Sequence, residues 1–389
     1  MDFKDEEKKY GDYVVKMRRY FHENPEVSGK EYNTSKVVKE ELDKMGIRWV
    51  DCGLETGVLA TIKGGKPGKT ILLRGDMDAL TVTEESGVEY ASKNKGVMHA
   101  CGHDCHIAMM LTAAAVLNDN KEELCGTVKL AFQPAEEIAE GAKSMVEQGA
   151  MDGVDGCFAI HVWSDVESGH VTCDAGPRMA AAYQFIIDVQ GKGGHGASPH
   201  QCIDAAVAST AIVNNLQTVV SREISPVDPA VVTVGVINVG ERWNVVPDKG
   251  HIEGTVRCFS DNLWKGIPVM MERIVKDTAK ALRAEAEIKF VDLVPPTNNN
   301  AEMAAYAQNA AKKVFGEEAP RTLPPTMGGE DFAYFMQKAP GAVALLGVRN
   351  EACGATWAQH SAKYRVDEDA LMKGALLYSQ VAMDFNSQK

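Results

Sequence analysis

The sequence lacks any apolar run long enough to cross a membrane, and it lacks an excess of positive charge. A spanning helix needs roughly 18 to 20 consecutive apolar residues, and no segment of this 389-residue chain reaches that length. The opening residues, MDFKDEEKKYGDYVV, are charged and have no apolar stretch of the kind found in secretory signals. These absences predict a cytoplasmic protein without a membrane partner.

Positive charge is the scarcer sign in this chain. Lysine and arginine number 41 against 54 aspartate and glutamate residues, which gives a formal net charge of −13. Such a charge opposes general attraction to nucleic acid and to anionic lipid. The composition therefore excludes nucleic acid as an expected partner and favours a small, partly polar substrate.

The nine cysteines are an odd number and are scattered along the chain. Because they lack the tight spacing of a small disulfide scaffold, we expect mostly reduced thiols in a reducing compartment. The content of 45% hydrophobic and 24% charged residues is ordinary for a globular protein. The length allows two or three domains.

The first part of the chain alternates short apolar runs with helical patterns. GVLATI, TILLRGD, TVKLAFQ and GCFAIHV have the character of buried strands, and HIAMMLTAAAVL has that of a compact helix. This alternation predicts an α/β architecture in which helices cover a sheet. Open α/β sheets usually bind ligands at the carboxyl ends of their strands.

The pattern changes near residue 182. YQFIIDVQG and VVTVGVINVG alternate apolar and polar residues as half-exposed antiparallel strands do. The predicted order over 182–292 is strand, helix, strand, strand, helix, strand, which is that of a ferredoxin-like α+β unit. We therefore predict a domain of 182–292 inserted into a domain formed by 1–181 and 293–389.

Residues able to bind a metal recur after the predicted strands of the first domain. Each alone is weak, since a lone histidine after a strand is more often structural and a GDMD pair is more often a turn or cap. Their recurrence at one edge of a sheet is what favours a metal site. The candidates are Asp76 and Asp78 in LLRGDMDAL, Cys101 and His103 in HACGHD, Glu136 and Glu137 in FQPAEE, His161 in FAIHVW, and His360 in AQHSAKY.

These candidates combine sulfur, imidazole and carboxylate donors. Such a mixed set suits zinc, cobalt, nickel or manganese better than magnesium or calcium. Five or more donors exceed one tetrahedral site, so we expect one or two divalent ions. A pair of ions would polarise a carbonyl and supply hydroxide near neutral pH, and Asp78 would hold a ligand imidazole in its tautomer.

The Glu136-Glu137 pair suggests two separate tasks. Adjacent residues in extended backbone point to opposite sides, so one carboxylate could bind a metal while the other moves protons. The alternative is an acidic helix start after Pro134. On these residues alone, both interpretations remain open.

The motifs resemble those of a known family. RGDMDAL, MHACGHDCH, FQPAEE, AIHVW, GKGGHGASPH, NVVPD, GTVR, MGGEDFAYF and QHS followed by DEDAL occur in the order found in metal-dependent amidohydrolases, which include N-acyl-amino-acid amidohydrolases (aminoacylases), hippurate hydrolases and auxin-conjugate hydrolases. The likeness covers nearly the whole chain. It implies an α/β catalytic domain like that of zinc peptidases, with a mixed β-sheet flanked by helices. The inserted domain would be a lid and a dimerisation surface, giving a homodimer or tetramer.

The resemblance also implies roles for individual residues. Glu136 would be the acid/base, and His195 would steady the carbonyl oxygen, in its own or a partner's active site. Asn244 and Arg257 would contact the substrate's carboxylate, and Gly328 and Gly329 would line the remaining wall. The implied metal ligands are Cys101, His103, Glu137, His161 and His360.

Four positions depart from the family's usual pattern. Asp76 stands where related metallopeptidases place a metal-binding histidine, and His103 would offset the loss of that ligand. Thr81 replaces a proline, Cys105 replaces a small residue and could be an extra redox-sensitive thiol, and HSAK replaces HSP or HNP after His360. The last three are neighbours of ligands, so we expect changes in pocket shape and not loss of the chemistry.

The expected reaction is hydrolysis of the amide bond of an N-acyl amino acid, giving a carboxylic acid and a free amino acid. The alternative on the same metal centre is a dipeptidase or carboxypeptidase-like activity. A thiol enzyme with Cys101 as nucleophile and a non-catalytic binding protein are hypotheses from other classes. We expect structural or surface roles for the other histidines, which are His22, His99, His106, His170, His200 and His251.

Overall fold

The computed structural model describes residues 1–387. It divides the chain into two compact units. The first unit comprises Met1–Gly176, Asn298–Pro324 and the chain from Asp331 onward, and the second comprises Pro177–Thr297 and Pro325–Glu330. The second unit therefore extends a few residues beyond the predicted insert of 182–292 at both ends. It also takes in a short stretch that sequence patterns did not assign to it.

The helices of the first unit are numbered along the whole chain. They are α1 (Phe3–Glu23), α2 (Tyr32–Lys44), α3 (His103–Asp119), α4 (Gly141–Glu147), α7 (Ala301–Phe315), α8 (Ala333–Met336) and α9 (Asp369–Asn386). Its strands are β1 (Arg48–Asp51), β2 (Val58–Lys63), β3 (Lys66–Asp76), β4 (Cys125–Gln133), β5 (Gly156–Glu167), β6 (Val171–Thr172), β15 (Pro320–Arg321) and β16 (Gly341–Arg349). Strands β7 (Gly176–Met179) and β14 (Thr297–Asn299) lie at two of the four points where the chain passes from one unit to the other.

The eight strands of the first unit other than β7 and β14 form one mixed sheet in the order β1-β2-β4-β3-β5-β16-β6-β15. The four central strands, β4, β3, β5 and β16, run parallel to one another. Antiparallel β2 lies beside β4, and antiparallel β6 lies beside β16. The predicted fold class, a mixed sheet flanked by helices, is confirmed.

Both faces of this sheet are buried, as expected for parallel strands covered by helices. In β5, Phe158 and Ile160 belong to the large apolar core shared with α1, α2, α3, α7 and α9. Their neighbours Cys157 and Ala159 point to the other face and pack with residues of α4 and α8. Because side chains alternate along a strand, a continuous apolar run is the pattern that such a two-sided core requires.

The second unit has its own sheet and core. Its main strands are β8 (Ala181–Gln190), β10 (Ala230–Val239), β12 (Lys249–Cys258) and β13 (Glu285–Val294), with helices α5 (Ala205–Thr218) and α6 (Asp261–Ala281). The strands pair antiparallel in the order β10-β12-β8-β13. Short strands β9 (Gly194–His195) and β11 (Val245–Val246) form a separate ladder. The succession of the four main strands and two α-helices is the one predicted from the sequence, and β9 and β11 are additional.

No helix among the described residues is long and apolar enough to cross a membrane.

Candidate metal centre

The candidate ligands come from elements that end at one edge of the large sheet. Asp76 is the last residue of β3 and pairs in register with Gln133, the last residue of β4. Strand β5 pairs with β3 as far as Ala159 and continues beyond it through His161. Because parallel strands end at the same edge, the loops after β3 and β4 meet the second half of β5. Helix α3 begins there with His103.

Five of the predicted residues form two overlapping donor groups. Donor atoms of Cys101, His103 and His161 lie within 4.8 Å of one another, and so do those of Cys101, Glu137 and His360. The two groups share the Cys101 sulfur. An arrangement of this kind has room for two neighbouring cations, and its sulfur, nitrogen and oxygen atoms are the donors that first-row divalent metals prefer.

Hydrogen bonds fix the tautomers of His103 and His161, the two buried imidazoles of these donor groups. His103 Nδ1 donates to Asp78, 2.9 Å from its carbonyl oxygen and 3.2 Å from Oδ1. His161 Nδ1 donates to the carbonyl of Val162 at 2.7 Å. In a neutral ring the other nitrogen then carries a lone pair. His161 Nε2 lies 3.5 Å from Cys101 Sγ, so the lone pairs face the donor cluster.

Two donor atoms in the cluster have no hydrogen-bond partner among residues 1–387. His103 Nε2 and Glu137 Oε1 are both buried, and they lie 3.9 Å apart. Each buried unsatisfied polar atom costs about 1–3 kcal/mol, which is a large fraction of the roughly 5–15 kcal/mol of a typical folded domain. A divalent cation would satisfy both atoms at once, so these residues fit a metal site.

Burial also shifts the acidities of the cluster. It raises the pKa of the Cys101 thiol well above the ordinary value, and it raises the pKa of the Glu137 carboxyl. Both groups therefore resist ionisation when no cation is near. Metal ligands must be deprotonated, so a cation bound here would have to displace these protons.

Asp78 connects two of the candidate ligands. Its Oδ2 accepts hydrogen bonds from Ser28 Oγ at 2.6 Å and from the backbone N–H of Glu137 at 3.0 Å, while Oδ1 faces His103. Burial opposes ionisation of this carboxyl, but the hydrogen bonds from His103 and Ser28 hold its pKa below the ordinary value. The predicted role of Asp78, orientation of a ligand imidazole, has this geometry as its support.

The backbone around Glu136 and Glu137 differs from the sequence expectation. The segment is a turn bounded by Ala135 and Ala139, whose φ angles are 54° and 58°, and α4 begins only at Gly141. The premise of extended backbone and the alternative of a helix start are both wrong. In the turn, one oxygen of each glutamate lies within 4.8 Å of a His103 ring nitrogen, so both carboxylates reach the cluster from the same side.

His360 marks the open side of the cluster. It lies in the loop between β16 and α9 with a φ of 66°, and its backbone N–H donates to the carbonyl of Ala100 at 2.8 Å. Its side chain is 56% exposed, whereas that of His103 is fully buried. His360 Nε2 lies 3.6 Å from Glu137 Oε1. A small molecule can therefore approach from the His360 side.

Sequence reasoning missed a buried network of ion pairs and hydrogen bonds next to the cluster. Arg74 pairs with Asp76 at 2.7 Å and with Asp331 at 2.8 Å, and Asp331 also accepts from Gln133. Burial opposes ionisation of Asp76, but Arg74 and His103 hold its pKa well below the ordinary value. The arginine within the apolar run TILLRGD was the available signal, because a charge in a buried strand needs a partner.

The remaining predicted site residues lie in the second unit. His195 in β9 pairs with Val245 in β11, and the backbone N–H of Gly196 donates to the carbonyl of Asn244 at 3.0 Å. The ladder thus brings His195 and Asn244 together. Arg257 belongs to β12. Their roles toward a substrate stay predictions, as do those of Gly328 and Gly329 in the 325–330 stretch of that unit.

The sheet and the donor cluster at its edge are those expected of a metal-dependent hydrolase of amide bonds. The chain belongs to peptidase family M20/M25/M40, whose family model matches residues 72–384. The family resemblance read from the motifs is thereby confirmed, and divalent metal ions are the cofactors of this centre.

Three known proteins illustrate the relationship. Thermostable carboxypeptidase 2 of Saccharolobus solfataricus is 43% identical over 99% of this chain and 98% of that protein. N-acetyl-L-cysteine deacetylase of Bacillus subtilis is 37% identical over 93% of this chain and 85% of that protein. The crystal structure of the Bacillus subtilis YXEP protein, described as a dinuclear metal binding peptidase from the M20 family, matches with a TM-score of 0.86 at 34% identity, covering 98% and 100% of the two chains.

Replacing Asp78 by alanine should weaken metal binding by about 10- to 100-fold, because such supporting carboxylates usually contribute that much. The change removes a carboxylate that contacts both His103 and the Glu137 turn. Equilibrium dialysis of the metal-free protein against Zn²⁺ measures the effect. Ser28→Ala is the matched control, since it removes one bond to Asp78 and leaves both ligand contacts. Equal affinities for the two variants would contradict the assigned role.

Proposed function

We propose that this protein hydrolyses the amide bond of N-acyl amino acids with one or two divalent metal ions as cofactor. The observation that carries the proposal is the convergence of two adjacent carboxylates, Glu136 and Glu137, on a cluster of sulfur and imidazole donors. One carboxylate is enough to bind a metal, which leaves the other for proton transfer. The similarity to an N-acetyl-L-cysteine deacetylase supports an acyl group on the substrate nitrogen.

A carboxypeptidase activity is the second candidate, and the similarity to a thermostable carboxypeptidase favours it. The two reactions break the same kind of bond. In both, the leaving group is an amino acid with a free carboxylate, and the other side is either a simple acyl group or a peptide. The difference therefore lies in whether the site accepts a free amino group on the acyl side of the substrate.

A thiol enzyme is disfavoured. A nucleophilic cysteine needs a lowered pKa and partial exposure, whereas Cys101 is buried and burial raises the pKa of its thiol well above the ordinary value. The thiol-enzyme hypothesis would also leave Glu137 and His360 without a task. As a ligand, Cys101 has neighbours on both sides of its sulfur in the two donor groups.

With divalent ions bound to Cys101, His103, Glu137, His161 and His360, the chemistry supplied is polarisation of the substrate carbonyl and acidification of water to near neutral pH. We assign to Glu136 the removal of a proton from the attacking water. Glu136 then delivers this proton to the amide nitrogen as the C–N bond breaks, so that the free amine leaves.

The residues of the second unit are assigned to the substrate. His195 would donate a hydrogen bond to the carbonyl oxygen as negative charge develops on it, either in its own subunit or in a partner. Arg257 offers a planar guanidinium suited to bidentate contact with the substrate's carboxylate, and Asn244 would assist it. Gly328 and Gly329 would line the wall of the pocket, so this unit is assigned the role of a lid.

We also propose a homodimer or tetramer formed through the second unit, in the cytoplasm. Strand β10 is an edge strand of its sheet. On this strand Val231, Val236 and Ile237 are 36%, 37% and 49% exposed. An apolar edge strand is a template for pairing with another chain, which supports association through this edge.

Of the metals, zinc, manganese, nickel and cobalt fit the mixed donor set.

Glu136→Gln should keep its metal and lose turnover by about 10²-fold or more, because general acid and base catalysis typically contribute 10²–10⁴-fold. The matched variant Glu137→Gln should lose metal as well as activity, since Glu137, unlike Glu136, shares a donor group with Cys101 and His360. Metal content by mass spectrometry and initial rates on one substrate distinguish the two. A Glu136→Gln enzyme with near-normal turnover would refute the proton-transfer role.

The proposed reaction is tested with N-acetyl, N-benzoyl and indole-acyl amino acids beside dipeptides and longer peptides. We expect release of free amino acid from the N-acyl compounds, loss of this activity after chelation, and recovery with Mn²⁺, Co²⁺, Ni²⁺ or Zn²⁺. Chromatography of the products measures it. Cleavage of peptides alone would favour the carboxypeptidase or dipeptidase alternative. Full activity without metal would favour a thiol enzyme, and no hydrolysis by loaded protein would favour a binding protein.

A further inference from the structure

The part of β5 that carries His161 is paired with a neighbouring strand on one side only. Pairing between β3 and β5 ends at Arg74 and Ala159, whereas β16 continues beside β5 on the other side. Buried amides that lose a strand partner need another acceptor. Two side chains supply it: the N–H of Ile160 donates to Tyr378 Oη at 2.9 Å, and the N–H of Val162 donates to His106 Nε2 at 2.9 Å.

The bond to Val162 determines the state of His106. Because Nε2 accepts a hydrogen bond, the ring proton is on Nδ1, which donates to Asp76 Oδ1 in a short contact. The other oxygen of Asp76 pairs with Arg74 at 2.7 Å. His106 and Asp76 are both fully buried. Both nitrogens of His106 are therefore engaged, and neither offers a lone pair to a cation.

His106 also contacts the two buried ligand rings. Its ring centroid is 4.6 Å from that of His161, with the planes at 73°, and 5.4 Å from that of His103, with the planes at 29°. Val162 connects His106 to His161 through its backbone, since its N–H donates to His106 and its carbonyl accepts from His161 Nδ1. A shift of Val162 would therefore rotate the His161 ring.

We propose that His106, oriented by Asp76, is a positioning residue that fixes the His161 imidazole for metal binding and is not itself a ligand. His106 accepts the Val162 N–H that no neighbouring strand accepts, and its ring packs against the rings of His103 and His161. This role is more specific than the structural or surface role expected from the sequence. The inference rests on the proposed function only in requiring that the site bind a divalent cation.

Two variants of His106 separate its two hydrogen bonds. In His106→Gln the side-chain oxygen can reach the position of Nε2 and accept the Val162 N–H, whereas in His106→Asn the amide reaches only the position of Nδ1, toward Asp76. We expect Co²⁺ affinity close to wild type for the glutamine variant. For the asparagine variant we expect affinity about 10- to 100-fold weaker, with an altered visible spectrum of the bound Co²⁺.

Titration of the metal-free proteins with Co²⁺, followed by absorbance, measures affinity and ligand geometry together. Thermal unfolding of the metal-free variants shows whether each has folded. An asparagine variant with wild-type affinity and spectrum would overturn the proposal. So would equal losses in the two variants when both unfold at the wild-type temperature, because rescue by glutamine is the result that a merely structural role does not predict.

A measurement on the unaltered protein covers the case in which the variants do not fold. Protein labelled with ¹⁵N-histidine and loaded with ¹¹³Cd²⁺ should show coupling from cadmium to ring nitrogens of His103 and His161 and none to those of His106. Coupling to His106 would overturn this inference alone. Failure of the wild-type protein to bind Cd²⁺, Co²⁺ or Zn²⁺ would contradict the proposed function and the inference with it.

Discussion

The site depends on one carboxylate that contacts two candidate ligands from different elements. Asp78, just past the end of β3, bonds to His103 at the start of α3 and to the Glu137 backbone after β4. This arrangement orients His103 Nε2 and Glu137 Oε1 toward each other, although neither atom has a hydrogen-bond partner within the described chain. The structure tolerates that cost because the surrounding sheet and helices are packed on both faces. The cost is recovered when a cation binds.

The residues assigned a supporting role are buried, and those assigned to the reaction are more accessible. Asp76, Asp78, Arg74 and His103 are each at most 1% exposed. Glu136 and Glu137 are half-buried, and the His360 side chain is 56% exposed. Rigid donors on one side and an open position on the other are what a hydrolytic metal site needs. Three of the four non-glycine residues with positive φ among the described residues, Ala135, Ala139 and His360, lie in the segments that carry these groups.

Much of this could be predicted from the sequence, for identifiable reasons. Buried strands and the donors that follow them are local patterns, so the mixed sheet and the residues around Cys101 were accessible to sequence reasoning. The Glu136 turn was not, because a positive φ at an alanine leaves no pattern. The bonds from His106 to Asp76 and Val162 were not either, since they join residues 30 and 56 positions apart. The second unit extends beyond the predicted 182–292 at both ends, because strand patterns do not mark where the contacts of one unit give way to those of the other.

X-ray absorption of the zinc-loaded protein, beside its Cys101→Ser variant, tests the central claim most directly. That claim is the convergence of sulfur, imidazole and carboxylate donors from separate elements on one centre. The account predicts a sulfur shell at about 2.3 Å together with nitrogen and oxygen scatterers near 2.0–2.2 Å. It also predicts loss of the sulfur shell in the variant. A zinc environment without sulfur in the unaltered protein, or one unchanged by the substitution, would contradict it.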